Sequence, residues 1–203
     1  MHGRHFPTVL VPVVLLLASA SLQARDTLVL DAVRDNVMYQ DNTGNSNGSG
    51  DFLFAGQNGG GASRRSLIRF DFSAIPDQAV IENATVTLFM SQSGAGDTDV
   101  SLHRLLADWG ESTSDASGGE GGGAPAQTGD ATWNDRFFPG SAWAVAGGEF
   151  LAESSATITV GGVGEYDWSS SLLASDIQSW LDGDAQNFGW ILIGDESTAA
   201  TAK

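Results

Sequence analysis

Cysteine is absent from this chain. That removes disulfides, a thiol nucleophile and every zinc or iron–sulfur site built on thiolates. Positive charge is almost as scarce. Nine Lys and Arg stand against 25 Asp and Glu, the formal net charge is −16, and the single lysine is Lys203. Such a field repels nucleic acid and anionic lipid, so neither is expected as a partner. It suits solubility in salty water and attraction for divalent cations. Histidine is scarce too, with His103 the only one beyond the first five residues. The one stretch spelling G-x-S-x-G, Gly44 to Gly48, lies inside the polar run Asp41 to Asp51 and not on a strand-to-helix elbow, so a nucleophile–base pair has little to be built from. A hidden pair of glycosidase carboxylates stays open in a chain this acidic, but the expectation is of a protein that is not an enzyme.

The N-terminus carries the longest apolar run. Arg4 and His5 precede Val9 to Ala18, which is broken only by Pro12. Ala18-Ser19-Ala20 fits an A-x-A cleavage site and Ala24 offers a second, so residues 1–24 read as a signal peptide cut after Ala20 or Ala24. A membrane anchor would need roughly 18 to 20 apolar residues, about twice this run. The mature chain is expected to be secreted, extracellular or at the cell surface, with no membrane insertion. Export without disulfides points to a bacterial origin and to a domain held by its core, with help from a bound cation where one binds.

What is abundant is glycine, 26 residues, set between short apolar segments. Thr27 to Leu30, Val37-Met38-Tyr39 and Phe52-Leu53-Phe54 read as strands. In Ser66 to Phe72, Ile68, Phe70 and Phe72 share one face while Arg69 and Asp71 share the other, the period-2 pattern of a half-buried strand. Ala84 to Met90, Asp99 to Leu105, Ala156 to Val160 and Glu165 to Trp168 add more strands. Leu173, Ile177, Trp180 and Leu181 recur at helical spacing after the capping serines 169–171, and Gly183 marks the stop. Phe188 to Ile193 is continuously apolar, as in a central strand buried on both faces. Ser112 to Gly129 is a long Gly, Ser and acidic loop with no apolar means of burying itself. The expected fold is all-β: a two-sheet antiparallel β-sandwich, a jelly roll, with one short helix near the C-terminal end.

The order of these segments resembles a known family. Arg64-Arg65-Ser66-Leu67-Ile68-Arg69-Phe70-Asp71-Phe72-Ser73-Ala74-Ile75-Pro76 is similar to the signature of DNRLRE domains, also grouped as family 96 carbohydrate-binding modules. Ala84 to Leu88, Trp109-Gly110-Glu111-Ser112, Asp130-Ala131-Thr132-Trp133-Asn134, Asp176 to Gly183 and Asn187 to Trp190 resemble the motifs that follow. The resemblance spans 26–203. It implies a bacterial secreted or cell-surface β-sandwich, often beside polysaccharide-degrading domains, with alginate binding assigned to some members. Family members continue past the stretch matching Thr198 to Lys203 into an Arg-Phe-x-Ser-Arg-Glu segment and a final strand. The chain stops short of both, so the last strand is expected to be missing and further domains of a longer parent protein to follow.

Several residues are candidates for contact with a polysaccharide or cell-surface glycan. Arg64 and Arg65, an adjacent basic pair, could grip a sugar carboxylate through parallel hydrogen bonds. Trp143, between Pro139-Gly140 and Gly147-Gly148, has the loop setting of an exposed stacking ring, and Tyr39 is a weaker candidate. The polar run Asp41 to Asp51, through Asp41, Asn45 and Asp51, supplies the oxygens calcium takes, although its spacing is not that of an EF-hand. The alternative function is a structural surface or matrix module stabilised or assembled by calcium.

Overall fold

A computed structural model describes residues 26–76 and 78–203. The signal-peptide reading of 1–24 lies outside the described residues. In chain order the elements are β1 (Ala32–Tyr39), β2 (Asn45–Ser46), β3 (Gly56–Gln57), β4 (Ser63–Phe70), β5 (Thr85–Met90), β6 (Thr98–Arg104), β7 (Ala124–Pro125), β8 (Asp135–Phe137), β9 (Ser141–Ala142), β10 (Ala156–Val160), β11 (Gly164–Ser169), α1 (Ser171–Leu181) and β12 (Trp190–Ile193).

The fold is an all-β antiparallel sandwich with one short helix near its C-terminal end. The main sheet runs β1-β4-β12-β6-β10, with β3 added beside β4. Strand β12 sits between β4 and β6, pairing Trp190 with Ile68 and with Arg104. Its unbroken apolar sequence follows from this central place. Trp190 and Leu192 point into one core with Ile68 and Leu102, while Ile191 points into a second with Leu67, Met38 and Leu105. Gly189 sets the strand's entry. Its φ is +77°, and a Cβ there would meet the Ile68 carbonyl at 2.1 Å, so only glycine fits.

The first core is closed by a two-stranded layer, β5 with β11, and by α1. Val86 and Trp168 face inward, while Thr85, Thr87 and Phe89 alternate outward. The Ser170 hydroxyl caps the helix by accepting the Leu173 N–H at 3.0 Å, and Leu173, Ile177 and Trp180 enter the core. Trp180 and Trp190 pack with ring centroids 4.7 Å apart beside Phe72. The second core is closed by the segment after β6, which drops Trp109, Trp133 and Trp143 onto Leu67 and Ile191.

Two expected strands are not strands. Residues 27–30 have no ladder partner, and β1 starts only at Ala32. Around Phe54 the main chain is held by a side chain instead of a ladder. The Ser66 hydroxyl accepts the Phe54 N–H at 2.7 Å and donates to the Phe54 carbonyl at 2.8 Å. The chain's last residues lie along β3: Thr201 and Ala202 donate to the Gln57 carbonyl, and Ala55 exchanges two hydrogen bonds with Lys203.

Candidate functional site

The loop after β1 and the long loop 112–129 meet at one end of the sandwich and interlock. Ser49 N–H donates to the Ser114 carbonyl at 2.8 Å, Gly48 N–H to the Ser114 hydroxyl at 2.8 Å and Ala116 N–H to Asn47 Oδ1 at 3.0 Å. At the centre is Glu120, only 6% exposed. Its carboxylate accepts the Asn47 side-chain amide at 2.7 Å and the backbone N–H groups of Asp51 and Phe52 at 3.0 Å. The long loop therefore buries itself after all, through polar groups satisfied across the two loops and not through apolar ones. Sequence reasoning missed Glu120. The available signal was one carboxylate held between glycines 118–119 and 121–123, a setting that frees the backbone to wrap an acceptor.

The sequence candidates are used in holding this end together. Arg64 has a side chain only 3% exposed. It pairs with Asp41 Oδ1 at 2.8 Å, donates to the Gly121 carbonyl at 2.9 Å and lies 5.0 Å over the Tyr39 ring. Tyr39 is fully buried and donates to the Glu120 carbonyl at 3.0 Å. Burial pushes its phenol far up and Glu120 adds to that, against the opposing charge of Arg64. Asp41 moves the other way. Partial burial would raise it, but Arg64 and the Asn58 amide hold its carboxyl below the usual range. Asn45 donates to the Gly122 carbonyl at 2.8 Å, and Asp51 enters through its backbone N–H. The three metal candidates thus stand around one loop junction with Asp41 committed to Arg64. Among the described residues, no group of three or more His, Asp or Glu side chains is placed to hold a metal ion.

Arg65 leaves β4 on the second core's side. It forks onto Glu196 with two 2.7 Å hydrogen bonds, donates to the Gly147 carbonyl at 2.8 Å and lies 4.9 Å over Trp133. Trp143 is corrected from exposed ring to core. It is 5% exposed and its indole N–H donates to the Thr132 carbonyl at 2.9 Å. Its glycine neighbours allow tight turns that fold the ring inward onto Leu67 and Ile191. The other five tryptophans are buried as well. Tyr39, expected as a surface ring, is likewise sealed.

Two further groups bear on chemistry. His103 on β6 has Nε2 2.9 Å from the Ser101 hydroxyl and Nδ1 2.9 Å from the Leu151 carbonyl. A hydroxyl beside an imidazole is the start of a nucleophilic pair. Here the hydroxyl also reaches the Ile193 carbonyl at 3.1 Å, and a carbonyl, not a carboxylate, orients the ring. Near the β1 start, Glu111 Oε2 accepts the Asp35 N–H at 2.7 Å. Burial raises both carboxyls, and the nearby negative charges of Asp35 and Asp130 add to the rise at Glu111.

A scan of family models finds none that matches the chain, and a search of curated proteins finds no match either.

Proposed function

We propose that the chain is an exported, non-catalytic module that binds an extracellular polysaccharide. The observation that carries this reading is the polar platform made by the interlocked loops 41–51 and 112–129. It presents Asn, Ser, Thr and Asp groups suited to sugar hydroxyls. Because Glu120 and Asn47 fix both loops in advance, a ligand would not have to pay for ordering them. The resemblance to DNRLRE domains points the same way. Arg64 enters this reading as a support of the platform, while Arg65 braces the second core's side, and both guanidiniums already have internal partners. Affinity electrophoresis against neutral and acidic polysaccharides, with and without calcium, tests it. Retention on at least one gel is expected, and uniform absence of retardation ends the reading.

A structural surface or matrix module is the second reading, favoured by the burial of all six tryptophans. It predicts self-association without glycan retention, measured by sedimentation. New reducing ends or unsaturated products from any polysaccharide would overturn both in favour of an enzyme.

A further inference from the structure

Two aromatic rings among the described residues are more than a third exposed, Phe52 at 39% and Phe89 at 66%. Their settings differ. Phe89 lies on the outer face of the two-stranded layer, paired across the ladder with Glu165. Phe52 follows the 41–51 loop directly and stands at the loop junction. Its N–H donates to Glu120 Oε2 at 3.0 Å, and its carbonyl accepts from the Asn47 side-chain amide at 3.4 Å. The buried pair that joins the two loops therefore clamps the Phe52 main chain from both sides. The residues that follow are fixed as well. Leu53 packs on the first core, and the Ser66 hydroxyl holds both polar main-chain groups of Phe54. On such a base the Phe52 ring keeps only its own two torsions, so covering it costs little ordering.

A lone exposed ring is ordinary on a soluble protein, and the clamp and the surroundings set this one apart. Neither loop, 41–51 nor 112–129, contains a lysine or an arginine. Arg64, which reaches between them, has a side chain 3% exposed and already holds Asp41 and the Gly121 carbonyl. Asp51, next to the ring and exposed, donates its N–H to Glu120. Its carboxylate has no partner among the described residues, is open to water, and can accept hydroxyls in water's place.

A flat ring beside carboxylate acceptors, with no available cation, disfavours two classes of ligand. An acidic polymer finds no group on these loops to hold its carboxylates and meets a net charge of −16. A protein partner needs about 800 Å² on each side with an apolar centre, which one ring among Gly, Ser and Asp does not supply. A neutral sugar fits both features, with C–H groups on one face and hydroxyl donors around its edge. We infer that Phe52 is the stacking ring of the platform and that the polysaccharide it takes is neutral. This rests on the proposed function and deepens it, by naming a ligand class and a contact residue. The sugar's C–H face covers Phe52, and its hydroxyls donate to Asp51. Alginate, assigned to some DNRLRE domains, is therefore not the expected ligand. Retention on a neutral polymer should stay nearly constant from about 0.05 to 0.5 M salt, because the ligand carries no charge to be screened.

The test is affinity electrophoresis in gels holding a neutral polysaccharide (glucan, mannan, xylan or galactan) or an acidic one (alginate or pectate). Calorimetry with oligosaccharides of the retarding polymer then measures the affinity. Retardation is expected in at least one neutral gel and in neither acidic gel. Phe52→Ala should weaken binding at least about tenfold, as for a central contact residue, and Phe52→Trp should keep or strengthen it. Phe89→Ala, which removes the exposed ring of the two-stranded layer, should leave affinity unchanged. Phe52→Leu keeps apolar bulk without a flat ring and should also weaken binding. It carries the test should Phe52→Ala fail to fold. Retention that survives both Phe52→Ala and Phe52→Leu overturns this inference and leaves the proposed function intact. An acidic gel that retards as strongly as the neutral ones does the same. No retardation in any gel ends the proposed function, and this inference with it.

Discussion

The Glu120 carboxylate accepts the Asn47 side-chain amide at 2.7 Å, joining two loops at positions 73 residues apart. The same carboxylate receives the Asp51 and Phe52 N–H groups, so it is a buried charge with donors on all sides. Charge-assisted bonds of this kind are worth about 1.5–3 kcal/mol each when a partner is lost. Glu120→Gln puts an NH₂ group among three donors and should destabilise by about 3 kcal/mol, read as a lower urea midpoint. Limited proteolysis should then cut within 112–129, where the unaltered protein resists.

Arg65 and Glu196 form a two-point fork that also braces Gly147. Lysine keeps the charge but cannot make the fork or lie flat over Trp133. Arg65→Lys should cost about 1–2 kcal/mol, and a double-mutant cycle with Glu196→Gln should give a coupling of about 1 kcal/mol or more. Coupling near zero would mean that the pair is dispensable and that Arg65 is free for a ligand.

Much of the sandwich could be read from local pattern. The apolar run before Gly194 names a strand buried on both faces, whereas the alternation in Ser66 to Phe72 names the strand and its Ile68 face but not the burial of Leu67 in the second core on the other face. The helix, too, carries its own cap and stop. The loop junction could not be read that way. Glu120 and Asn47 have meaning only once β1 and the long loop are brought together, and a polar partnership across such a separation leaves no periodicity. Trp143 shows the same limit from the apolar side. Glycine neighbours suggest an exposed loop, but they also permit the turn that folds the ring into the second core. Arg64 and Arg65, candidates for a sugar carboxylate by residue type, have the protein's own Asp41 and Glu196 as carboxylate partners, which local sequence does not reveal.

Glu111 and Asp35 make stability depend on pH. Burial raises both carboxyls above their ordinary values of 4.5 and 3.8, so the folded state binds protons more tightly than the unfolded one. Stability therefore falls as pH rises through the range just above those values. Asp41 has the opposite sign. Its lowered carboxyl stabilises above 3.8 and that contribution disappears as pH falls through its folded value. A maximum in melting temperature on the acid side of neutrality is expected. Glu111→Gln keeps an acceptor for the Asp35 N–H and removes the charge. It should raise the melting temperature at pH 7 by about 1–2 °C, as for a small surface-charge effect, with no gain at pH 4.

Calcium at the 41–51 loop would need Asp41 to exchange its Arg64 and Asn58 contacts, at 2.8 and 2.9 Å, for the metal. A cation must then sit beside a buried guanidinium, which opposes binding. Millimolar calcium is expected to move the melting temperature by less than about 1 °C. A rise of several degrees, abolished by Asp51→Ala, would instead show that the loop rearranges to take the ion.

Asn36, on β1 and fully buried, uses every hydrogen-bonding position of its side chain. Its Oδ1 accepts the Val37 N–H at 2.7 Å, the Ser46 hydroxyl at 2.7 Å and the Asn47 N–H at 3.0 Å. Its Nδ2 donates to the Gly110 and Ala131 carbonyls at 3.1 and 3.4 Å. One amide thus pins β1, the first loop and the Trp109–Trp133 segment together. Asn36→Asp preserves the acceptor and turns the donor into an oxygen facing two carbonyl oxygens. At neutral pH this should cost about 3 kcal/mol, the penalty for a buried charge against unmatched acceptors. Burial and those carbonyls would raise the new carboxyl, and once protonated it can donate to one of them. The variant's urea midpoint should therefore recover partly between pH 7 and pH 5, beyond any change in the unaltered protein over the same range. An equal deficit at both pH values would mean that the side chain is open to water and that the junction is held elsewhere.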